Sequence, residues 1–329
     1  MRVRPSERGA ALLAVLLLVA VMGALTAAAL EKLRLSTALA INTAALDQAR
    51  AFAVGIESLM ALTADDLLAL DAQRTTNAGG WNGGVRRIPL PDDLGLAEAT
   101  VRDGGNCFNI NSVAEGVPPN PLVPRATGVA QFSALMRLLG VPQGPADRIA
   151  ASAGDWVDGD DIPSVGGGED AVYAGAAQPY RAGNTLFADV TELRAVQGMT
   201  PEIYAQVRPW ICALPSADLS PININTLSVE QAPLLAMLAP DQIPLETARA
   251  AIAARPVAGW DNLYDFYRLG PMQSVLLPLD VQLQPQLRTR WFSVDIRIAL
   301  QGAELRESAL IDARIRPARV IARRWGSED

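Results

Sequence analysis

The chain has no histidine, one lysine (Lys32) and two cysteines (Cys107 and Cys212) among its 329 residues. Without histidine it lacks both the commonest general acid/base and the commonest zinc ligand, which excludes most hydrolase constellations. The cysteines stand too far apart for a CxxC metal ribbon or redox pair. They read as one disulfide, with two buried free thiols as the other reading. A bond would close a loop of about 105 residues and stabilise by roughly 4 to 5 kcal/mol in the chain-entropy model; an oxidising compartment would permit it. Positive charge is also scarce: 28 Lys plus Arg stand against 35 Asp plus Glu, whereas a nucleic-acid binder carries a basic surplus. No GxxxxGK loop occurs, so the chain is not an ATP-driven motor. What is abundant is apolar character, half of all residues, enough for a sizeable core.

Ala10 to Leu30 is a run of 21 residues without a charge, flanked by Arg2, Arg4 and Arg8 before and Glu31, Lys32 and Arg34 after. At 1.5 Å per residue it covers roughly 31 Å, matching a hydrocarbon core of about 30 Å. The arginine-rich start favours a cytoplasmic amino terminus, and Lys32 and Arg34 weaken that asymmetry. A cleaved secretory signal with a small-residue site at Ala27–Ala29 is the rival reading. Against it, no proline occurs between Pro5 and Pro89, and Ala45, Ala49, Phe52, Ile56 and Leu59 continue a helical stripe past the bilayer. A helix from Ala10 to about Leu70 would be roughly 90 Å long, more than one small domain covers, so its neighbours must be other subunits.

The run Arg8, Gly9, Ala10, Ala11, Leu12, Leu13, Ala14 resembles the type IV pilin and pseudopilin signal. The resemblance implies a cut by prepilin peptidase between Gly9 and Ala10 on the cytoplasmic side, methylation of the new amino terminus, and retention of the apolar helix. Most members carry Glu at the fifth mature position; here it is Ala14. The K-type minor pseudopilin is the member that lacks this glutamate. A carboxylate in hydrocarbon needs a partner, and a subunit with nothing above it has none to offer.

After the stem, Asn77 to Gly84 with Trp81, then Pro89 and Pro91, read as a linker onto a sheet. A strand is expected from Ala99 to Val101, followed by an apolar patch at Cys107, Phe108 and Ile110. Alternation at Phe292, Val294, Ile296 and Ile298, then a run from Leu305 to Ile315 across a Gln301–Gly302 turn, predicts a hairpin. Between these halves lie about 175 residues, an insertion rather than a loop. The insertion reads as duplicated. Asn109-Ile110-Asn111-Ser112 and Asn223-Ile224-Asn225-Thr226 open the two parts, and Leu193 to Met199 with Gly198 and Leu269 to Met272 with Gly270 close them.

The expected fold class is therefore α+β: a pilin-like long N-terminal transmembrane helix on a small antiparallel sheet, with a large inserted all-α domain of two tandem SAM-like or helix-hairpin-helix-like units. The boundaries expected are a cytoplasmic leader at 1–9, the transmembrane helix at 10–30 and its periplasmic extension at 31–75. The first part of the sheet follows at 76–112, helical subdomains at 113–215 and 216–287, the C-terminal hairpin at 288–317 and a tail at 318–329. This order is similar to that of K-type pseudopilins over nearly the full chain.

Asp155, Asp158, Asp160, Asp161, Glu169 and Asp170 crowd a glycine-rich stretch with no base among them. Such density repels unless it is solvated or neutralised. Oxygen-only ligands suit a hard cation, calcium before magnesium, because calcium tolerates irregular geometry. Asp158, Asp160 and Glu169 fall at positions one, three and twelve of an EF-hand count, but Ile162 and Pro163 occupy a ligand and the glycine position, so it is not an EF-hand. The resemblance implies calcium at this stretch; a merely solvated loop is the plain alternative. Paired-carboxylate catalysis would need a defined cleft and shifted pKa values.

Ile222 to Met272 resembles a helix-hairpin-helix unit of competence DNA receptors, with one helix to Leu238 and a second around Ala248 to Arg255. Its hairpin, Ala239 to Pro244, lacks glycine, and Pro221 to Pro271 carries five acids against three arginines. The fold is expected and DNA binding is not. The family resemblance implies a non-enzymatic subunit of the bacterial inner membrane, its bulk periplasmic, priming or capping a type II secretion pseudopilus. Its implied partners are the I, J and H minor pseudopilins, the assembly platform and secreted proteins. A minor pilin of a type IV pilus or DNA-uptake machine is the alternative.

Overall fold

The computed structural model describes residues 5–116, 121–270, 272–300 and 303–326. Helix α1 (Pro5–Leu70) has 66 residues, roughly 99 Å at 1.5 Å per residue. Its sequence is rich in alanine and leucine, the strongest helix formers. It is the one helix among the described residues long and apolar enough to cross a membrane, with a window of mean hydropathy 2.6. From Gly9 to Ala44 it is exposed on all sides. From there one face is buried, through Ala45, Ala49, Ala53, Ile56, Met60, Ala64 and Leu68, at the three- and four-residue spacing of a single helical stripe. The helix stops at Leu70, short of the expected 75. The Asp71 carboxylate there accepts from the amides of Gln73 (2.8 Å) and Arg74 (3.2 Å) and turns the chain.

Two strands follow, β1 (Val85–Pro89) and β2 (Gly95–Asp103). Then come six two-residue strands: β3 (Phe108–Asn109), β4 (Ala114–Glu115), β5 (Val123–Pro124), β6 (Ile211–Cys212), β7 (Ile222–Asn223) and β8 (Pro285–Gln286). The chain finishes with β9 (Trp291–Leu300), β10 (Ala303–Asp312) and β11 (Arg319–Trp325). The main sheet runs β1-β2-β9-β10-β11, antiparallel throughout. Alternation decides which face meets α1: Ala97, Ala99 and Val101 of β2 and Phe292, Val294, Ile296 and Ile298 of β9 point inward. Polar contacts cross this interface as well, among them the Ala318 amide donating to Asp65 Oδ2 at 2.9 Å. Arg323 of β11 joins Glu57 of the stem to Glu307 of β10, both buried carboxylates.

Three expectations are corrected. Residues 319–325 are not tail but the fifth strand, because β10 is long enough to pair on both edges. Val85–Pro89 is an edge strand rather than linker, and Pro89 is tolerated at its end. Phe108 does not continue the main sheet; β3 leaves it and pairs parallel to β6. The expected Gln301–Gly302 turn lies outside the described residues.

Between β2 and β9 sits the helical body, with α2 (Ala126–Leu138), α3 (Gln143–Val157), α4 (Asp170–Tyr173), α5 (Pro201–Val207), α6 (Ala232–Ala236), α7 (Leu245–Ala253) and α8 (Leu263–Tyr267). It has its own apolar core, from Phe108 to Val281, separate from that of stem and sheet. The duplication is visible in backbone pairing: β3 with β6 and β7 with β8 are both parallel.

Candidate functional site

The repeated asparagines build the frame on which the acidic loop hangs. Asn109 accepts from the amide of Asn111, and Asn223 from that of Asn225, each an Asx turn that ends a short strand. Asn111 then clamps Phe187, donating to its carbonyl at 3.0 Å and accepting from its amide at 2.7 Å. Asn225 clamps Trp260 with the same two bonds at the same two lengths. Two residues past each clamped aromatic, a polar side chain caps the next helical turn: Asp189 before Val190–Ala195 and Asn262 before α8. The clamp spans 76 residues in the first unit and 35 in the second. The acidic loop lies inside the longer span.

Asp155 and Asp158 come from the last turn and C-cap of α3, and Glu169 immediately precedes α4. One oxygen from each lies within 4.8 Å of the others, and all three residues are buried. Asp155 accepts from the Ser164 amide, at 3.2 and 3.0 Å to its two oxygens. Asp158 Oδ1 and both oxygens of Glu169 have no protein partner. The loop reaches this close only because it has no side chains there. A Cβ on Gly167 would stand 2.0 Å from Asp155 Oδ2, and one on Gly168 2.0 Å from Gln197 Oε1. Burial, with the neighbouring carboxylates adding to it, raises both Asp158 and Glu169 to about 7.

The other three acids stand apart from this group. Asp160 and Asp161 are exposed, Asp160 closing a turn onto the Ile162 amide. Asp170 faces away, accepting from the Ala182 amide at 2.8 Å and lying 3.7 Å from Arg181. Spacing brings Asp155 and Asp158 together at the end of α3, where every residue from Ile149 to Asp158 is buried; the loop path that returns Glu169 to them has no sequence signal beyond its glycines. Orphaned buried carboxylate oxygens fit a hard divalent cation, for which oxygen-only donors are the preferred set.

Cys107 and Cys212 are bonded, with Cα atoms 5.8 Å apart across 105 residues, beside the pairing of Asn109 with Cys212. The free-thiol reading is thereby removed.

The second unit uses its few cations internally. Arg255 donates to the carbonyls of Ile224 (3.1 Å) and Leu227 (2.6 Å), Arg249 pairs with Glu246, and Arg268 lies over Tyr264. The hairpin amides of Gln242 and Ile243 are bonded to Ala239. The elements a phosphate-binding hairpin would present are engaged within the fold. Gly9 and Ala10 lie exposed within α1, as does Ala14.

Comparison with known proteins agrees with this architecture. Residues 106–216 and 222–288 match two family models, both described as type II secretion system (T2SS), protein K. Type II secretion system protein K of Pectobacterium carotovorum subsp. carotovorum is 31% identical over 98% of both chains. That of Klebsiella pneumoniae is 33% identical over 97% of both. A chain in the crystal structure of the GspK-GspI-GspJ complex from enterotoxigenic Escherichia coli superposes with a TM-score of 0.73 at 30% identity, covering 86% of this chain and 97% of that one.

Proposed function

The chain belongs to the type II secretion system protein K family, and from that premise we propose that it is the minor pseudopilin at the tip of a short periplasmic fibre. It is anchored in the inner membrane by α1, with its amino terminus cytoplasmic and its sheet and helical body periplasmic. The observation that carries this is the stem. The sheet covers one face of α1 only above Ala45, leaving Val54, Leu59 and Leu62 exposed at its level and every side of the helix open below. An apolar rod of this kind is completed by other rods. Partners of the I and J types supply them, as the complex of the structural relative suggests. The helical body is too bulky to repeat along a tight fibre, which favours a terminal position. The role is assembly rather than catalysis.

Prepilin peptidase cuts between Gly9 and Ala10, and Ala14 frees the subunit from needing a charged neighbour in the bilayer. Asp155, Asp158 and Glu169 would hold a calcium ion, as orphaned buried carboxylate oxygens suit a hard divalent cation. When bound, the ion neutralises carboxylates that otherwise repel one another. This chain's own contribution is to hold the three acids dry and close, by the C-terminus of α3 and the bare Gly167–Gly168 backbone.

The test is co-purification of the full chain with I-type and J-type pseudopilins from membranes. Leu62→Glu, on the uncovered face, is expected to abolish capture while leaving the melting temperature unchanged. Undiminished capture by that variant would reject stem packing as the mode of assembly. Amino-terminal sequencing of the mature protein is expected to begin at Ala10; a start near residue 30 would point to a secretory cut instead.

A further inference from the structure

Stem with sheet and helical body have separate apolar cores. Partly exposed ion pairs cross between them, Arg74 with Asp261 and Arg324 with Asp189, and a buried polar cluster crosses where the chain passes from one to the other. Four segments meet there: Thr75 just beyond the stem, Asp103–Asn106 at the end of β2, Asn223–Thr226 at the start of the second helical unit, and Thr289 just before β9. Thr75, Asp103, Asn106, Asn223, Thr226 and Thr289 are all buried.

Their hydrogen bonds run in one direction. Asn106 Nδ2 donates to Thr226 Oγ1 at 2.8 Å, and Thr226 Oγ1 donates to Asp103 Oδ2 at 2.7 Å. From the other side Asn223 Nδ2 donates to Thr289 Oγ1 at 3.0 Å, and Thr289 Oγ1 donates to the same Asp103 oxygen. The Gly105 amide donates to Asp103 Oδ1 at 3.0 Å. Asn106 Oδ1 accepts from the Asn223 amide at 2.8 Å, and Asn223 Nδ2 also reaches the Thr75 carbonyl at 3.2 Å. Each hydroxyl thus accepts from an asparagine and passes its proton toward one carboxylate, an arrangement in which successive bonds polarise and strengthen one another. Asp103 Oδ2 accepts from both hydroxyls, Thr226 from within the helical body and Thr289 from the end of the insertion just before β9.

We propose that Asp103 is the keystone of a hinge lock, holding the inserted helical body at one angle on the stem and sheet so that the fibre tip presents it in a single orientation. An oily interface is non-directional and tolerates sliding; a buried carboxylate receiving three directed bonds does not, because rotating either body leaves buried polar groups unpaired. Asn223 serves both devices, since its Oδ1 closes the Asx turn of the second clamp while its Nδ2 feeds the lock.

The experiment measures the angle directly. Spin labels are attached to the full chain in detergent at Ser58→Cys on the exposed stem and Gly144→Cys on the exposed start of α3, where an added side chain meets nothing within 4 Å. The native cysteines are bonded and do not react. Pulsed dipolar spectroscopy is expected to give one narrow distance distribution in the parent. Asp103→Asn, which keeps one acceptor oxygen and puts an NH2 group where the other stood, so that either the two hydroxyls or the Gly105 amide meet a donor, should give a broadened or double distribution with native near-UV circular dichroism. Thr226→Val and Thr289→Val, each removing one arm, should broaden it less. A folded Asp103→Asn with the parent's narrow distribution overturns the proposal. So does loss of folding in all three variants, which would make the cluster a support of each core rather than a lock between them.

Discussion

The two helical units begin with the same device and diverge in what they hang on it. Asn111 and Asn225 grip Phe187 and Trp260 with matching bonds, and a parallel two-residue ladder closes each unit. The first unit carries a disulfide around its clamp, and a long loop and three buried carboxylates inside it; the second closes its clamp in less than half the chain length and keeps its arginines on its own carbonyls and side chains. The two units share the part whose bonds are directional. They differ where the path between the two grip points was free to lengthen, since lengthening a loop costs little entropy.

The comparison is broken most strongly at the disulfide. Replacing Cys107 and Cys212 by serine should lower stability by about 4 to 5 kcal/mol, read as a shift in denaturant midpoint, with fluorescence probes in the first unit responding before any near Trp260. Equal responses in both units would mean that they unfold as one. Next in size are the clamps. Asn111→Ala and Asn225→Ala each leave both the amide and the carbonyl of a clamped residue unpaired, about 1 to 3 kcal/mol per buried group, and the loss at Asn111 should be the larger by one such group, because it also donates to the Leu214 carbonyl at 2.8 Å. A far smaller loss at Asn225 would show that the second clamp has become ornamental.

Cation removal should separate the units further. At a hundredfold excess over its dissociation constant, calcium should stabilise by about 2.7 kcal/mol, measured by thermal melts with and without chelator. Asp158→Asn with Glu169→Gln should abolish the response without altering the second unit. The smallest effect is on pH. Because Asp158 and Glu169 are raised to about 7 when folded, the folded protein holds more protons than the unfolded one between about pH 4 and 7. The stability these groups contribute without metal is therefore complete at acid pH and falls as pH rises through 7. Calcium needs the ionised forms, so its stabilisation should grow from pH 5 to pH 8; a gain that shrinks over that range would count against these ligands.

Much of this was legible in order along the chain. The stem, its end near Leu70, the C-terminal hairpin, the pair of Asn-Ile-Asn openings and the acidic stretch are local patterns, and helix period, strand alternation and Asx turns are local physics. β11 escaped because five arginines between Arg314 and Arg324 hide the alternation that an edge strand needs only weakly. The acidic stretch showed where carboxylates crowd but not which of them converge. Asp160 and Asp170 have the same chemistry as Asp158 and Glu169 and differ only in where the backbone turns them.

By itself the amino-acid sequence determined that this protein is a membrane-length rod followed by a split sheet and a doubled helical insert, because those features follow from residue periodicities shorter than one element. Tertiary structure alone decided that three of six carboxylates converge, that Glu57 and Glu307 share Arg323, and that Asp103 receives one hydroxyl from within the insertion and one from its end. Each of these joins residues far apart in the chain, and the burial that makes such polar groups need one another exists only after the cores have closed around them.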